Sequence, residues 1–242
     1  MSWGRNGFFA TIAIAAGVAA TTAQAGVVVS ASGPSAKTYP VGRKLADTDR
    51  IVLQPGDSIT VLDQRGTRVL RGAGTYTLAQ QSGPSKSGTF AVLTRQRSAQ
   101  RMRTGAVRAG DVGGPVTSPN LWYVDVANSG TVCLPQADDV RLWRPTTEGG
   151  TTYSIKPAGG GSAAQVSFES GEMLAPWNDA ALPLKDGASF VISRPGAPDS
   201  TITFKVLGAV PADAEGLAER LIEADCKTQL GLLSSTLRVD EG

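Results

Sequence analysis

The chain reads as mainly β: a small N-terminal β module, then a second β-sandwich or barrel-like domain closed by a C-terminal α-helix. Three observations carry this. Short β-branched runs recur over residues 26–80 and 121–207, separated by Gly, Pro, Asn and Ser turn signals. Within Ser58 to Asp63, Ile59 and Val61 alternate with Ser58 and Thr60, the period of a strand with one buried face. Only Pro211 to Leu237 keeps a long apolar stripe at helical steps.

A leader precedes the β pattern. Arg5 is followed by an apolar run from Gly7 to Ala20 and then by Thr21-Thr22-Ala23-Gln24-Ala25. Small residues at Ala23 and Ala25 fit a signal peptidase groove, which predicts a cleavable signal peptide over residues 1–25 with the cut after Ala25. The apolar run falls short of the about 20 residues a membrane span needs; an uncleaved anchor is the alternative. The cut chain is expected in the periplasm and not in the membrane.

Residues 26–80 form the first module. Gly26 to Gly33 is a β-branched run closed by Gly33-Pro34. Asp63-Gln64-Arg65-Gly66 turns the Ser58 strand into a return strand at Thr67 to Leu70, with Gly66 available for positive φ. Gly72-Ala73-Gly74 then precedes a last strand, Thr75 to Leu78.

Residues 81–119 read as a basic connecting segment. From Asp63 to Asp111 there is no acid, while Arg65, Arg68, Arg71, Lys86, Arg95, Arg97, Arg101, Arg103 and Arg108 fall in that interval. Thr89 to Arg103 allows a helix without a clean period, and Ala109 to Asn120 is linker-like.

Residues 120–242 make the second domain. Its expected strands are Leu121 to Val126, Thr131 to Leu134, Val140 to Trp143, Thr151 to Lys156, Ala164 to Phe168, Ser189 to Arg194 and Thr201 to Leu207. An irregular stretch holds Trp177 and Pro183. One helix is expected from Pro211 to Leu237, with Pro211, Asp213 and Glu215 in its first turn. Its stripe is Ala218, Ile222, Cys226, Leu230, Leu233 and Leu237.

Cys226 on that stripe faces the core, where the strand of Cys133 can reach it. In an oxidising compartment an even pair bridges, so a Cys133–Cys226 disulfide is expected; two free buried thiols are the alternative. An immunoglobulin arrangement is excluded, because the second cysteine lies on a helix and residue 224 is Ala, where that fold has Tyr.

The chemistry available is limited. The chain has no histidine, which removes Ser-His-Asp and Cys-His catalysis and the usual His-bearing zinc sites. Gly83 to Thr89 has the glycines of a phosphate loop, but Thr89 stands where Lys is required. No catalytic, metal or cofactor set is read, and the expectation is a non-enzyme. An unusual paired-carboxylate enzyme is the remaining catalytic class.

Charge layout is the strongest functional signal. Against the acid-free basic interval, residues 169–225 hold ten acids and only Lys185, Arg194, Lys205 and Arg220 as bases. Arginine forks onto carboxylate and phosphate and stacks on aromatic faces. Arg95, Arg97, Arg101 and Arg103 are therefore candidate interaction residues, either for a partner or for the chain's own acidic half. Trp143, set between Arg141 and Arg144, joins them as a stacking platform; the other reading is a core residue with its arginines reaching to solvent.

The stretch from Tyr39 to Leu78 resembles a FecR-type periplasmic domain. The resemblance rests on Gly42 and Leu45, on Asp49 to Ile51, on the turn Asp63 to Gly66 and on the Gly-rich approach to Leu78. It implies a small all-β interaction or signal-relay module without catalysis. The sequence departs from the family's sigma-regulator members, since a cleavable signal leaves no cytoplasmic portion.

The expected function is that of an exported, non-enzymatic envelope interaction or accessory protein with a protein partner. The alternative is a binding module for a polyanionic or glycan envelope ligand, or an anionic lipid. Nucleic acid is not an expected partner, because export removes the chain from it.

Overall fold

A computed structural model describes residues 24–80, 86–95 and 117–239. Residues 1–23 of the expected signal peptide lie outside the described residues, as do Arg97, Arg101, Arg103 and Arg108. The described residues hold fourteen strands in four sheets and three α-helices.

Six strands belong to the N-terminal part: β1 (Gln24–Ser32), β2 (Lys44–Ala46), β3 (Ile51–Leu53), β4 (Ser58–Asp63), β5 (Gly66–Arg71) and β6 (Gly74–Tyr76). Four of them form an antiparallel sheet in the order β2-β1-β4-β5, and β3 pairs with β6 beside it. β1 starts at Gln24, two residues ahead of the expected mature N-terminus.

The triple valine explains the central position of β1. Val28 enters a core with Leu45, Ile51, Ile59, Val61 and Leu70. Val27 and Val29 belong to another core, with Leu62 and the C-terminal helices. Alternation along one strand thus serves two cores. The β4–β5 hairpin runs in register from Ser58↔Arg71 to Asp63↔Gly66, so Gln64 and Arg65 form its two-residue loop. The Asp63 carboxylate accepts from the amides of Arg65 (2.8 Å) and Gly66 (3.1 Å), and Gly66 takes a φ of 139°.

Helix α1 (Ser87–Thr94) follows, and then β7 (Tyr123–Asp125), β8 (Gly130–Leu134), β9 (Arg141–Trp143), β10 (Thr151–Pro157), β11 (Ala164–Phe168), β12 (Leu174–Pro176), β13 (Ser189–Ser193) and β14 (Ser200–Val206). They build an open five-stranded sheet, β11-β10-β13-β14-β8, and a three-stranded one, β12-β9-β7. β8 joins β14 in parallel, as β7 joins β9; the other pairings are antiparallel. Inward residues of both sheets share one core, where Trp177 meets Phe190 (4.9 Å) and Phe204 (5.3 Å) edge to face. All seven expected strands are present. β12 is additional: Leu174-Ala175-Pro176 has no alternation to betray it, and it forms by pairing with β9 at an edge, where proline is tolerated.

The single C-terminal helix is corrected to two, α2 (Ala214–Glu223) and α3 (Lys227–Thr236). Asp225 takes a left-handed φ of 58°, and Cys226 caps α3 after its amide bonds the Leu221 carbonyl (2.9 Å). The break turns the stripe. Leu221 is buried on α2, while Ile222, expected on the core face, packs against the same core from its margin and is only partly buried. The start also moves: Asp213 is the N-cap, accepting from the Gly216 amide (2.7 Å), and Pro211 precedes the helix. Leu217, Leu221 and Leu233 lie in one core with Val27, Val29, Leu62 and Cys133, so the helices cover the N-terminal sheet as well as bracing β8.

Candidate functional site

The region that gathers the sequence-predicted features is the stem from which the basic segment departs. It starts at the disulfide. Cys133 on β8 and Cys226 at the head of α3 are bonded, both fully buried, with Cα atoms 6.0 Å apart. A bridge across a separation of 93 residues constrains the unfolded chain by about 4 to 5 kcal/mol in the chain-entropy account.

Gln229 stands one turn into α3 from Cys226 and is buried. Its Oε1 accepts from the Cys133 amide (2.6 Å), and its Nε2 donates to the carbonyls of Cys133 (2.7 Å) and Leu121 (2.8 Å). The side chain thus takes the place of a neighbouring strand on the β8 edge. Leu121 leads to the stem itself. Its amide donates to the Leu93 carbonyl (3.0 Å), the Trp122 indole to the Thr94 carbonyl (2.8 Å), and the Asn120 amide group to the Arg95 carbonyl (2.9 Å). Asn120 Oδ1 also accepts from the Trp122 amide (2.9 Å). Three consecutive residues on each side are therefore stitched together, and the chain leaves at Arg95 beside the point where it returns.

Of the candidate arginines, the described one is Arg95, and it is exposed. Trp143 is placed differently from a stacking platform: it is 1% exposed, beside Arg144, which is also 1% exposed. Arg144 turns inward instead of reaching solvent, and Arg141 is half-buried in an ion pair with Asp139 (2.5 Å). The ring of Trp143 has no free face for a sugar.

Two concavities flank the stem. One, about 390 Å³, lies between α3 and β7–β8; Leu121, Tyr123, Val132 and Leu232 line it, with Thr117 and Ser118 at its rim. The other, about 240 Å³, is lined by Trp122, Tyr123, Asp138, Asp139 and Arg141. Burial, reinforced by the charges of Asp138 and Asp139, pushes the nearby Asp179 carboxyl above its ordinary value, with Arg141 opposing. Asp138 and Asp139 are neighbours along the chain, and Asp139 is paired with Arg141. Among the described residues no cluster of three His, Cys, Asp or Glu is arranged to hold a metal ion. No helix among them is long and apolar enough to cross a membrane.

Sequence reasoning missed Gln229, Asn120 and Trp122. Gln229 had a local signal, three residues after Cys226 and so on the same helical face. Asn120 and Trp122 had none, because their partners are carbonyls about 25 residues earlier. Compared with known proteins, the chain matches no family model, no curated protein and no solved structure.

Proposed function

We propose that this chain is an exported, non-enzymatic accessory protein of the cell envelope that binds a protein partner through its arginine-rich segment. The observation that carries this reading is the stem. Arg95 and Asn120 are hydrogen-bonded at 2.9 Å, so the residues between them, with Arg97, Arg101, Arg103 and Arg108, depart from and rejoin one braced point. A basic segment tethered at both ends loses less freedom on binding than a free tail, which favours its use in recognition. The FecR-like reading of the first module fits the same role, as a β platform without catalysis.

The alternative, a polyanionic or glycan ligand, loses its stacking residue with Trp143 buried. What remains for it is charge alone, and binding of that kind weakens steeply with salt.

The test is a photo-reactive residue replacing Arg101 in the intact envelope, followed by mass spectrometry. A specific protein adduct is expected. Cross-links confined to residues 169–225 of the same chain would mean that the basic segment serves its own acidic half, and the proposal would fail. Adducts on glycan or lipid that vanish with added salt would select the alternative.

A further inference from the structure

β5 is an edge strand of the N-terminal sheet, and one rung of that edge is already taken by the end of the chain. The Thr67 amide donates to the Leu237 carbonyl (2.8 Å), and the Thr67 carbonyl accepts from the Val239 amide (2.9 Å), a parallel bridge centred on Arg238. Both backbone groups of Thr67 therefore point away from β4. Backbone groups in a strand alternate, so those of Val69 point the same way, and no backbone partner meets them among the described residues. Val69 is half-buried.

The approach is built in. A Cβ on Gly66 would lie 2.5 Å from the Leu237 carbonyl oxygen and 2.9 Å from Val239 Cγ2, so the absence of a side chain there lets a strand lie against the hairpin. Leu237 is fixed in the core, whereas Arg238 is exposed. The tail thus makes its first contact firmly and its second with one hydrogen bond.

We propose that the β5 edge is a strand-addition site for an extended, acid-bearing segment of another protein, with Arg238 and Val239 as its resident occupant. An incoming strand replaces Val239 on the Thr67 carbonyl and continues onto Val69, where main-chain hydrogen bonds supply the affinity. In the register set by Arg238 on Thr67, the residue two places on lies opposite Val69, within diagonal reach of the exposed Arg71 side chain, which favours a carboxylate there. The Arg71 carbonyl already accepts from the Tyr76 hydroxyl (2.5 Å), so the added strand ends at that rung. Unpaired edges of this kind invite pairing, and Arg238 and Val239 lying along one blunt it until a better strand arrives. This surface is separate from the arginine-rich segment and does not rest on the function proposed for it.

The experiment uses the chain ended after Leu237 and a fluorescein-labelled peptide, Leu-Arg-Val-Asp-Glu-Gly, the sequence of residues 237–242. The shortened chain is expected to bind the peptide about tenfold or more tightly than the full chain, whose own tail competes at high effective concentration. Saturating peptide slows hydrogen exchange at the Val69 amide, and replacing its Asp and Glu by Asn and Gln weakens binding. Should the shortened chain fail to fold, Val239→Pro in the full chain removes the same donor and is expected to bind the peptide equally. Absence of binding by both variants, with Val69 exchange unchanged, would overturn the proposal. So would protection of Val69 in a dimer formed without peptide, since the edge would then serve copies of this chain.

Discussion

The N-terminal hairpin and the second β region each bury one arginine, and they neutralise it by different means. Arg68 on β5 forms an ion pair with Asp63 at the turn of its own hairpin and donates to the Leu78 carbonyl (2.9 Å). Arg144, just past β9, has only neutral partners among the described residues. It donates to the carbonyls of Glu172 (2.8 Å), Gly149 (3.0 Å) and Glu169 (2.9 Å) and to the Thr151 hydroxyl (3.1 Å), and lies over the Phe168 ring at 5.1 Å. One charge answers to an opposing charge five residues away. The other answers to several dipoles brought together from two loops, β9–β10 and β11–β12, and from the start of β10. The first arrangement is local and fails with one residue; the second is assembled by tertiary structure and holds that structure together in return.

The largest expected effect comes from breaking the local arrangement. Asp63→Ala leaves Arg68 buried without its counter-charge and strips the hairpin turn of two hydrogen bonds, so urea unfolding should show a loss of about 3 to 5 kcal/mol. A loss below about 1 kcal/mol would show that backbone carbonyls suffice for Arg68 too, and the contrast would collapse. Arg144→Met comes next, at about 3 kcal/mol, because three carbonyls lose their donor together. Arg144→Lys should recover little of it, since an ammonium cannot fork to partners on two loops at once.

The two regions also differ in how they hold carboxyl groups, and this sharpens the contrast through pH. Burial raises the Asp57 carboxyl, but the Ser35 hydroxyl and the amides of Ser35 (3.0 Å) and Gln54 (2.5 Å) outweigh it and hold it below its ordinary value. A group depressed in the folded state contributes stability above its unfolded value and loses it as pH falls through the folded one. Asp57→Asn is therefore expected to lower the Tm at neutral pH, with the gap to the parent closing on acidification. Asp179 has the opposite sign. Its raised carboxyl costs stability at neutral pH, and the cost is relieved as pH falls through its folded value. Asp179→Asn should give a small rise in Tm at neutral pH that disappears in acid. Equal pH responses from the two variants would refute the distinction.

The parts of the fold legible in the sequence are those set by neighbours along the chain. Ile59 and Val61 announce β4, and Asp63 with Gly66 announces its turn, because period and turn chemistry act over a few residues. What stayed hidden depends on distant partners. Asp225 breaks the terminal helix although nothing in its local sequence demands a left-handed residue there; the path of Cys226 towards Cys133 does. Arg144 reads as a surface arginine until carbonyls from residues 149, 169 and 172 surround it. The same holds for the stem: the basic composition of its segment is plain, while the stitching of Asn120 to Arg95 is not. Cys133 and Cys226 were legible because an even pair on a helical stripe leaves few arrangements.

The sharing of the C-terminal helices has a consequence in time. Val27, Val29 and Leu62 are buried with Leu217, Leu221 and Leu233, which lie some 150 to 200 residues further along the chain. A polypeptide made from its N-terminus forms the β4–β5 hairpin early, from contacts a few residues apart. The core on the far side of β1 then lacks its helical members Leu217, Leu221 and Leu233 until α2 and α3 have been synthesised. Contacts of such wide sequence separation slow folding and leave apolar surface open in the interval. The first module is thus the first to be made and among the last to be finished, and a nascent chain halted before residue 214 would carry a valine face without its covering helices α2 and α3.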